Sequence, residues 1–348
     1  MCGVELEKMV FLRHTFLPCL RISSVVLFFC SVYCAFLYLP SHQDQSGLVL
    51  TDLGRMLGDL NAFDATFGRR QVVFFVETSN SGKVFERHVC SLEAAASLNP
   101  NVTVLLVMTQ QNCQIQRENN TALVRLLDEY PNIRLASVET KQLLKNTILE
   151  EIWTTKFLHT VAPVQHLSDL VRLALLWHFG GVYMDLDVMT VRNLSLVLRE
   201  ANFLAADDVD HLNSCVMGFE RRHPLLQTLL EVVRAEYDPK SYSTVPTAIN
   251  SAVVAYFNLS IEEAIKLRKW QRVRFYNSNG FSPFKYANYM NLFYPTTIEW
   301  VERISRSSYG VHFWGSHTNH IVFKENSTAP FAQLARKFCP KTYPSLYT

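Results

Sequence analysis

The sequence predicts an α/β fold, a Rossmann-like domain with a mostly parallel sheet covered on both faces, behind a single N-terminal transmembrane helix. Three observations lead there. From Gln71 onward, short apolar runs of strand length alternate with runs of helical periodicity, the pattern of crossover units. Ser168 to Val188 (SDLVRLALLWHFGGVYMDLDV) reads as a helix, a double-glycine stop, a short strand and two carboxylates one residue apart. Ile22 to Leu39 carries no charge.

The N-terminal run comes first in the chain. As a helix it would extend roughly 27 Å at ~1.5 Å per residue, close to a ~30 Å hydrocarbon core. Lys8, Arg13 and Arg21 precede it, and Asp44 and Asp52 are the first charges after it. The positive-inside rule therefore makes residues 1–21 a cytosolic tail and 22–39 a signal anchor, and it places the rest of the chain in a lumen. A signal peptide cleaved near Val32 to Ala35 competes with this reading but has a poor cleavage site, and a buried soluble helix is a weaker third. Pro40 closes the run, and residues 40–70 are polar and weakly patterned, as a stem would be. Residues 71–348 are the expected lumenal domain.

Composition narrows the class. With 348 residues the chain can bury a substantial core. Its formal net charge is +2 and no basic block stands out, which argues against nucleic acid as a partner. Cys90, Cys113, Cys215 and Cys339 fall on the lumenal side and permit up to two disulfides, in any of three pairings. No CxxC pair supports a structural zinc site. Cys30 and Cys34 share a helix face; membrane packing is the plain reading, and a bridge between two chains, hence a homodimer, is the alternative. Glycosylation tripeptides at Asn101, Asn119, Asn193, Asn258 and Asn326 are consistent with a secretory lumen.

Within the domain, Val72 to Glu77 (VVFFVE) reads as a buried strand, followed by a loop over Thr78 to Gly82 and a helix over Cys90 to Leu98. A strand at Val102 to Met108, a helix at Ala122 to Glu129 and a strand at Ile133 to Ala136 follow. Ser168 suits a helix N-cap and Asp169 its positive first turn. Gly180 and Gly181 end that helix, Val182 to Met184 make a short buried strand, and Asp185 and Asp187 sit where it runs out. Two carboxylates at i and i+2 point to one side and repel unless a cation, a proton or a turn relieves them. A hard divalent cation is the economical solution. Ligands gather beyond the carboxyl ends of such strands, so the first loop and the Asp185–Asp187 turn belong to one expected crevice.

Each candidate has a plainer reading. Asp169 and Arg172 share a helix face, so they suit a surface ion pair as well as a pair that binds sugar hydroxyls. Asp185 and Asp187 could form a solvated turn, although the apolar strand before them weighs against it. His312, among aromatics in YGVHFWGSH, suits a satisfied buried histidine; a metal already wanted elsewhere raises its standing as a ligand.

SDLVRLALLWHFGGVYMDLD resembles the donor-binding signature of GT-A-fold glycosyltransferases. It is most similar to the α-1,4-glycosyltransferase family that includes lactosylceramide 4-α-galactosyltransferase and α-1,4-N-acetylgalactosaminyltransferases. FFVETS (Phe74 to Ser79), CSLEAAASLNP (Cys90 to Pro100), GFERRH (Gly218 to His223), VHFW (Val311 to Trp314) and FCP (Phe338 to Pro340) extend the resemblance from about Gln71 to the end. The resemblance implies a retaining enzyme of the Golgi membrane, single-pass type II. It would transfer galactose or N-acetylgalactosamine from UDP-galactose or UDP-N-acetylgalactosamine to a glycosphingolipid, assisted by Mn²⁺ or Mg²⁺. By the same resemblance Asp185, Asp187 and His312 hold the metal, and Asp169, Arg172 and Tyr183 hold the donor. Phe75 and Val76 would line the uridine pocket, and Asn213 would polarise donor or acceptor.

Retention needs a carboxylate nucleophile or front-face attack. Asp207, Asp208 and Asp210 match no family position and read as surface residues, which favours front-face attack. In Ser243-Thr244-Val245-Pro246, Val245 stands where the family carries glycine, a change expected to affect acceptor identity if the backbone there approaches a ligand. Two other classes compete. A haloacid-dehalogenase-type phosphatase also uses DxD after a strand, but here Met189 stands where it wants a small or β-branched residue. A catalytically silent lumenal binding protein or chaperone on the same scaffold is the other.

Overall fold

The computed structural model describes residues 50–67, 71–109, 115–296 and 298–347. The tail, the apolar run at 22–39 with Cys30 and Cys34, and Cys113 lie outside the described residues. Among the described residues no helix is long and apolar enough to cross a membrane.

Among the described residues nine strands form the main sheet, in the order β1-β4-β3-β2-β5-β8-β7-β10-β9. These are β1 (Thr51–Asp52), β2 (Val72–Glu77), β3 (Thr103–Thr109), β4 (Ile133–Val138), β5 (Gly181–Met184), β7 (Phe203–Ala206), β8 (Leu212–Phe219), β9 (Lys269–Trp270) and β10 (Val273–Tyr276). The half from β1 to β5 is parallel throughout. β8 then runs antiparallel to both β5 and β7, β10 pairs parallel with β7, and β9 closes the edge antiparallel. The mixed α/β, parallel-rich architecture is the expected one. β6 (Val188–Thr190) and β11 (Gly310–His312) form a separate antiparallel pair.

The central strands are apolar on both faces because helices cover both. On β2, Phe74 and Val76 enter the core beneath helix Pro163–Phe179, while Val73 and Phe75 enter the opposite core beneath helices Glu86–Leu98 and Thr121–Glu129. Each such side chain contributes about 1.5–3 kcal/mol on burial. Chain order reverses between β2 and β5, so the crevice at their carboxyl ends is a topological switch point.

Three sequence expectations change. The packed domain begins at residue 51, inside the segment read as stem. There β1 pairs with β4, Asp52 caps helix Leu53–Gly58, and Leu53, Met56, Phe63 and Phe67 are buried; Phe63 stacks on Phe179 at 4.3 Å. The helix before the double glycine starts at Pro163, not at Ser168. Proline needs no N–H partner in the first turn, and its fixed φ favours that position. Ser168 and Asp169 therefore lie in the helix body. Gly180 (φ 68°) and Gly181 (φ 102°) do stop the helix as expected; a Cβ on Gly180 would lie 2.8 Å from the Arg221 backbone nitrogen.

Val245 also differs from expectation. It sits in helix Thr244–Phe257, 1% exposed, with its side chain in the core. A helical backbone accommodates a Cβ, so no glycine is required there.

The C-terminal segment is fastened to helix Glu86–Leu98 by residues one helical turn apart. Arg87 donates to Thr318 O (2.6 Å) and Ile321 O and lies over the rings of Phe293, Phe323 and Phe331. Cys90 forms a disulfide with Cys339. Glu93 accepts from the backbone N–H groups of Lys341 (2.9 Å) and Thr342 (2.8 Å). Cys215 is a free, buried thiol on β8.

Candidate active site

The β5 strand ends at Met184. Asp185 donates its N–H to Cys215 O (2.8 Å), and Val188 donates back to Asp185 O (3.0 Å), which makes a tight turn through Leu186 and Asp187. The register of the second sheet completes the site. His312 pairs with Val188, one residue from Asp187, and this pairing brings together side chains 125 positions apart in sequence. His312 Nε2 lies 3.2 Å from Asp187 Oδ2, and the Gly315 N–H donates to the same oxygen at 2.7 Å. A Cβ on Gly315 would stand 3.1 Å from Asp187 Cβ, so this close approach suits glycine.

Ligand atoms of Asp185, Asp187 and His312 all lie within 4.8 Å of one another. Two carboxylates and an imidazole suit a hard or borderline divalent cation. The 3.2 Å between His312 and Asp187 is close to the ~3 Å separating adjacent ligands of an octahedral ion with bonds of ~2.1 Å. The triad therefore fits a divalent cation.

Electrostatics set the two carboxylates apart. Burial pushes Asp185 up to about 6, with Arg172 opposing and Asp187 adding to the shift. Burial pushes Asp187 the same way, but the His312 ring and the Gly315 N–H outweigh it and hold Asp187 at about 2. Burial disfavours a charged His312, yet the Asp187 carboxylate raises its pKa well above the ordinary value. Asp187 is thus a permanent anion at neutral pH. A cation arriving at the triad would displace the His312 proton, so binding there is coupled to proton release.

Arg172 organises the rest. It is 6% exposed and stacks on the Tyr183 ring at 4.6 Å. It donates to Ser168 Oγ (2.9 Å), Ser214 O (3.1 Å) and Ser214 Oγ (2.9 Å), and pairs with Asp169 (3.3 Å) and Asp185 (3.1 Å). The pair with Asp169 is buried, not a surface ion pair. Arg172 is a strut that ties Ser168, Asp169, Asp185 and Ser214 together, and it lines the cleft beside Asp169 and Tyr183. Tyr183 donates to Asp185 Oδ1.

The cleft, about 430 Å³, is lined by Val76, Asp169, Asp185, Asp187, Asn213 and His312 among others. Phe75 is the exception among the expected residues. It is fully buried on the opposite face of β2, because successive strand residues alternate and Val76 takes the cleft side. The Asn213 amide donates to Asp207 Oδ2 (2.7 Å) and accepts from Cys215 N–H (2.9 Å). Asp207 is therefore not a surface residue; it is half-buried and also 2.7 Å from His211. Asp208 pairs with Lys285, and Asp210 is exposed.

Among the cleft residues that the sequence did not single out are Glu77, His88, Trp314 and Gly315. Trp314 adopts a left-handed backbone (φ 55°) and lays its ring 4.2 Å from that of His312. Glu77 and Trp314 stood within quoted motifs, and Gly315 follows VHFW directly. No pattern marked His88.

A family model described as the glycosyltransferase sugar-binding region containing the DXD motif matches residues 86–206, and one described as the alpha 1,4-glycosyltransferase conserved region matches residues 218–346. The chain thus carries a DXD-containing glycosyltransferase sugar-binding region followed by an alpha 1,4-glycosyltransferase conserved region. This transferase is 28% identical over 273 residues to lactosylceramide 4-alpha-galactosyltransferase of Mus musculus, covering 78% of this chain and 75% of that one. It is 25% identical over 331 residues to alpha-1,4-N-acetylglucosaminyltransferase of Homo sapiens, covering 90% of each. The solved apo structure of the WbbM bifunctional glycosyltransferase is similar at 12% identity and TM-score 0.46, over 80% of this chain and 52% of that one, too distant to bear on the chemistry. The enzyme is a hexosyltransferase, and nothing in the fold or its relatives favours the phosphatase or the catalytically silent reading.

Proposed function

We propose that this α-1,4-glycosyltransferase moves galactose or N-acetylgalactosamine from a UDP-sugar to the terminal sugar of a glycosphingolipid, with retention of configuration. It does so from a single-pass type II anchor in the Golgi membrane, facing the lumen. The observation that carries the reading is the convergence of Asp185, Asp187 and His312 at the switch-point crevice, beside Asp169. The names of the relatives support transfer of a hexosyl group, and one of them names a glycolipid, lactosylceramide, as the acceptor.

A bound Mn²⁺ or Mg²⁺ supplies Lewis-acid stabilisation of charge on the departing diphosphate. Asp187 provides the fixed anionic anchor and His312 the nitrogen ligand. Asp185, held by Arg172 and Tyr183, provides the second carboxylate. Asp169 accepts donor-sugar hydroxyls, and Val76 lines the nucleoside side. Asn213, its amide oriented by Asp207, faces the reacting centre. For retention, the acceptor hydroxyl oxygen bonds to the anomeric carbon on the face from which the phosphate oxygen leaves, and the departing phosphate takes the hydroxyl proton. Asp207 favours this front-face path over a nucleophile, since it turns toward His211 and Asn213.

The test is incubation of the full chain in detergent with UDP-galactose, UDP-N-acetylgalactosamine or UDP-N-acetylglucosamine, Mn²⁺ and lactosylceramide. The linkage of any product is then read by NMR. An α-1,4 product from one of the first two donors supports the proposal; no turnover of any donor, or a β-linked product, defeats it.

A further inference from the structure

We propose that Tyr242 is the stacking residue of the acceptor subsite, presenting its ring to the C–H face of the acceptor's terminal pyranose. The inference rests on the glycosyltransferase reading and names the part of the cleft that takes the neutral sugar. Tyr242 is 74% exposed, yet it lines the same cleft as Asp169 and Asp185.

The loop that carries this ring is held firmly. His166, 1% exposed in helix Pro163–Phe179, uses both ring nitrogens. Its Nδ1 lies 2.7 Å from Thr160 Oγ1 and 2.7 Å from the Tyr237 hydroxyl, and its Nε2 lies 2.7 Å from Ser241 O, the residue before Tyr242. Ser241 N–H donates to Asp238 O (3.1 Å), Thr244 Oγ1 donates to the same carbonyl (3.1 Å), and Val161 N–H donates to Pro239 O (2.9 Å). A loop tied at four points presents an exposed aromatic ring at little further entropic cost on binding.

The chemistry of the cleft is divided to match. Asp185, Asp187 and His312, holding a cation, would suit a nucleotide diphosphate, and Asp169 and Arg172 the sugar attached to it. The acceptor is neutral, and a pyranose gathers C–H bonds on one face while its hydroxyls point outward, so it needs an apolar plane with polar neighbours. Phe85 and Val164, 46% and 42% exposed, line the same cleft and add apolar surface to it.

The experiment titrates octyl β-lactoside, octyl β-galactoside and octyl N-acetyl-β-glucosaminide into the full chain with UDP and Mn²⁺, followed by saturation-transfer NMR. In Tyr242→Ala the affinity for the sugar bound by the native protein falls about tenfold, as loss of one ring stack predicts, while Tyr242→Phe binds normally and UDP affinity is unchanged in both. The proposal is overturned if Tyr242→Ala binds the sugars as the native protein does, if it loses UDP affinity in equal measure, or if the native protein binds UDP but none of the three sugars. Failure of the native protein to bind UDP would instead remove the glycosyltransferase reading, and the subsite with it.

Discussion

Replacing Arg172 by lysine keeps the charge and removes the fork. Arg172 pairs with Asp169 and Asp185 while donating to Ser168 and Ser214; one ammonium cannot span these positions. Hydrogen bonds to charged groups contribute about 1.5–3 kcal/mol each, and breaking a buried ion pair costs about 3–5 kcal/mol because one charge is stranded. We therefore expect Arg172→Lys to lose about 3 kcal/mol of unfolding free energy, and Arg172→Ala about 3–5 kcal/mol. A second consequence follows at the metal site. Asp185 already sits at about 6 with Arg172 opposing the shift; without the fork its pKa rises, so less of it is ionised at pH 7. Mn²⁺ affinity at pH 7 should fall about twofold for the first unit of rise and approach tenfold for each unit beyond it. Urea denaturation in EDTA reads the first effect and calorimetric titration the second. Arg172→Lys unfolding within about 1 kcal/mol of the native protein, with native Mn²⁺ affinity, would refute the reasoning.

Three further outcomes are expected. Gly315→Ala should push Asp187 aside, since a Cβ there meets its side chain at 3.1 Å, and weaken Mn²⁺ binding about tenfold, roughly the loss of one charge-assisted bond; circular dichroism should show an unchanged fold. Val245→Gly, which restores the family residue, should destabilise by about 3 kcal/mol, through lost burial and a helical glycine, and leave UDP binding unchanged in calorimetry. The Asp207–His211 pair gives a pH window. Hydrogen bonds to His211 and Asn213 lower Asp207 despite its burial, and the bond to Asp207 raises His211. The carboxylate's contribution is present above its unfolded pKa of ~4 and is lost as pH falls through the lowered folded value. The imidazole's is present below ~6.5 and is lost as pH rises through the raised folded value. The stability difference between native protein and His211→Ala should thus be flat from about pH 4 to 6.5 and shrink on either side. It should stay below about 1 kcal/mol because the imidazole is partly solvated. Urea titrations across pH check this.

What could be read from the chain follows from how each part is stabilised. β2, β3 and β4 are buried on both faces, so their apolar runs are continuous and their places were legible. That same burial hid the face of Phe75, because a strand apolar on both sides does not reveal which side meets the cleft. The segment before β2 passed for a stem because only four large apolar side chains, Leu53, Met56, Phe63 and Phe67, anchor its two short helices. Ser168 mimicked a helix cap, whereas the true start rests on Pro163. Asp185 and Asp187 were legible through local spacing. Their meeting with His312 and Gly315 depends on the β6–β11 register, which no local pattern encodes.

In the proposed function, Asp185, Asp187 and His312 form the cation site on which a UDP-sugar is held. Calorimetric titration of UDP with and without Mn²⁺, on native protein and Asp187→Asn, tests it most directly. Mn²⁺-dependent UDP binding at one site per chain is expected, lost in Asp187→Asn while the fold is retained. UDP binding that is indifferent to Mn²⁺, or equal in the two proteins, would contradict it.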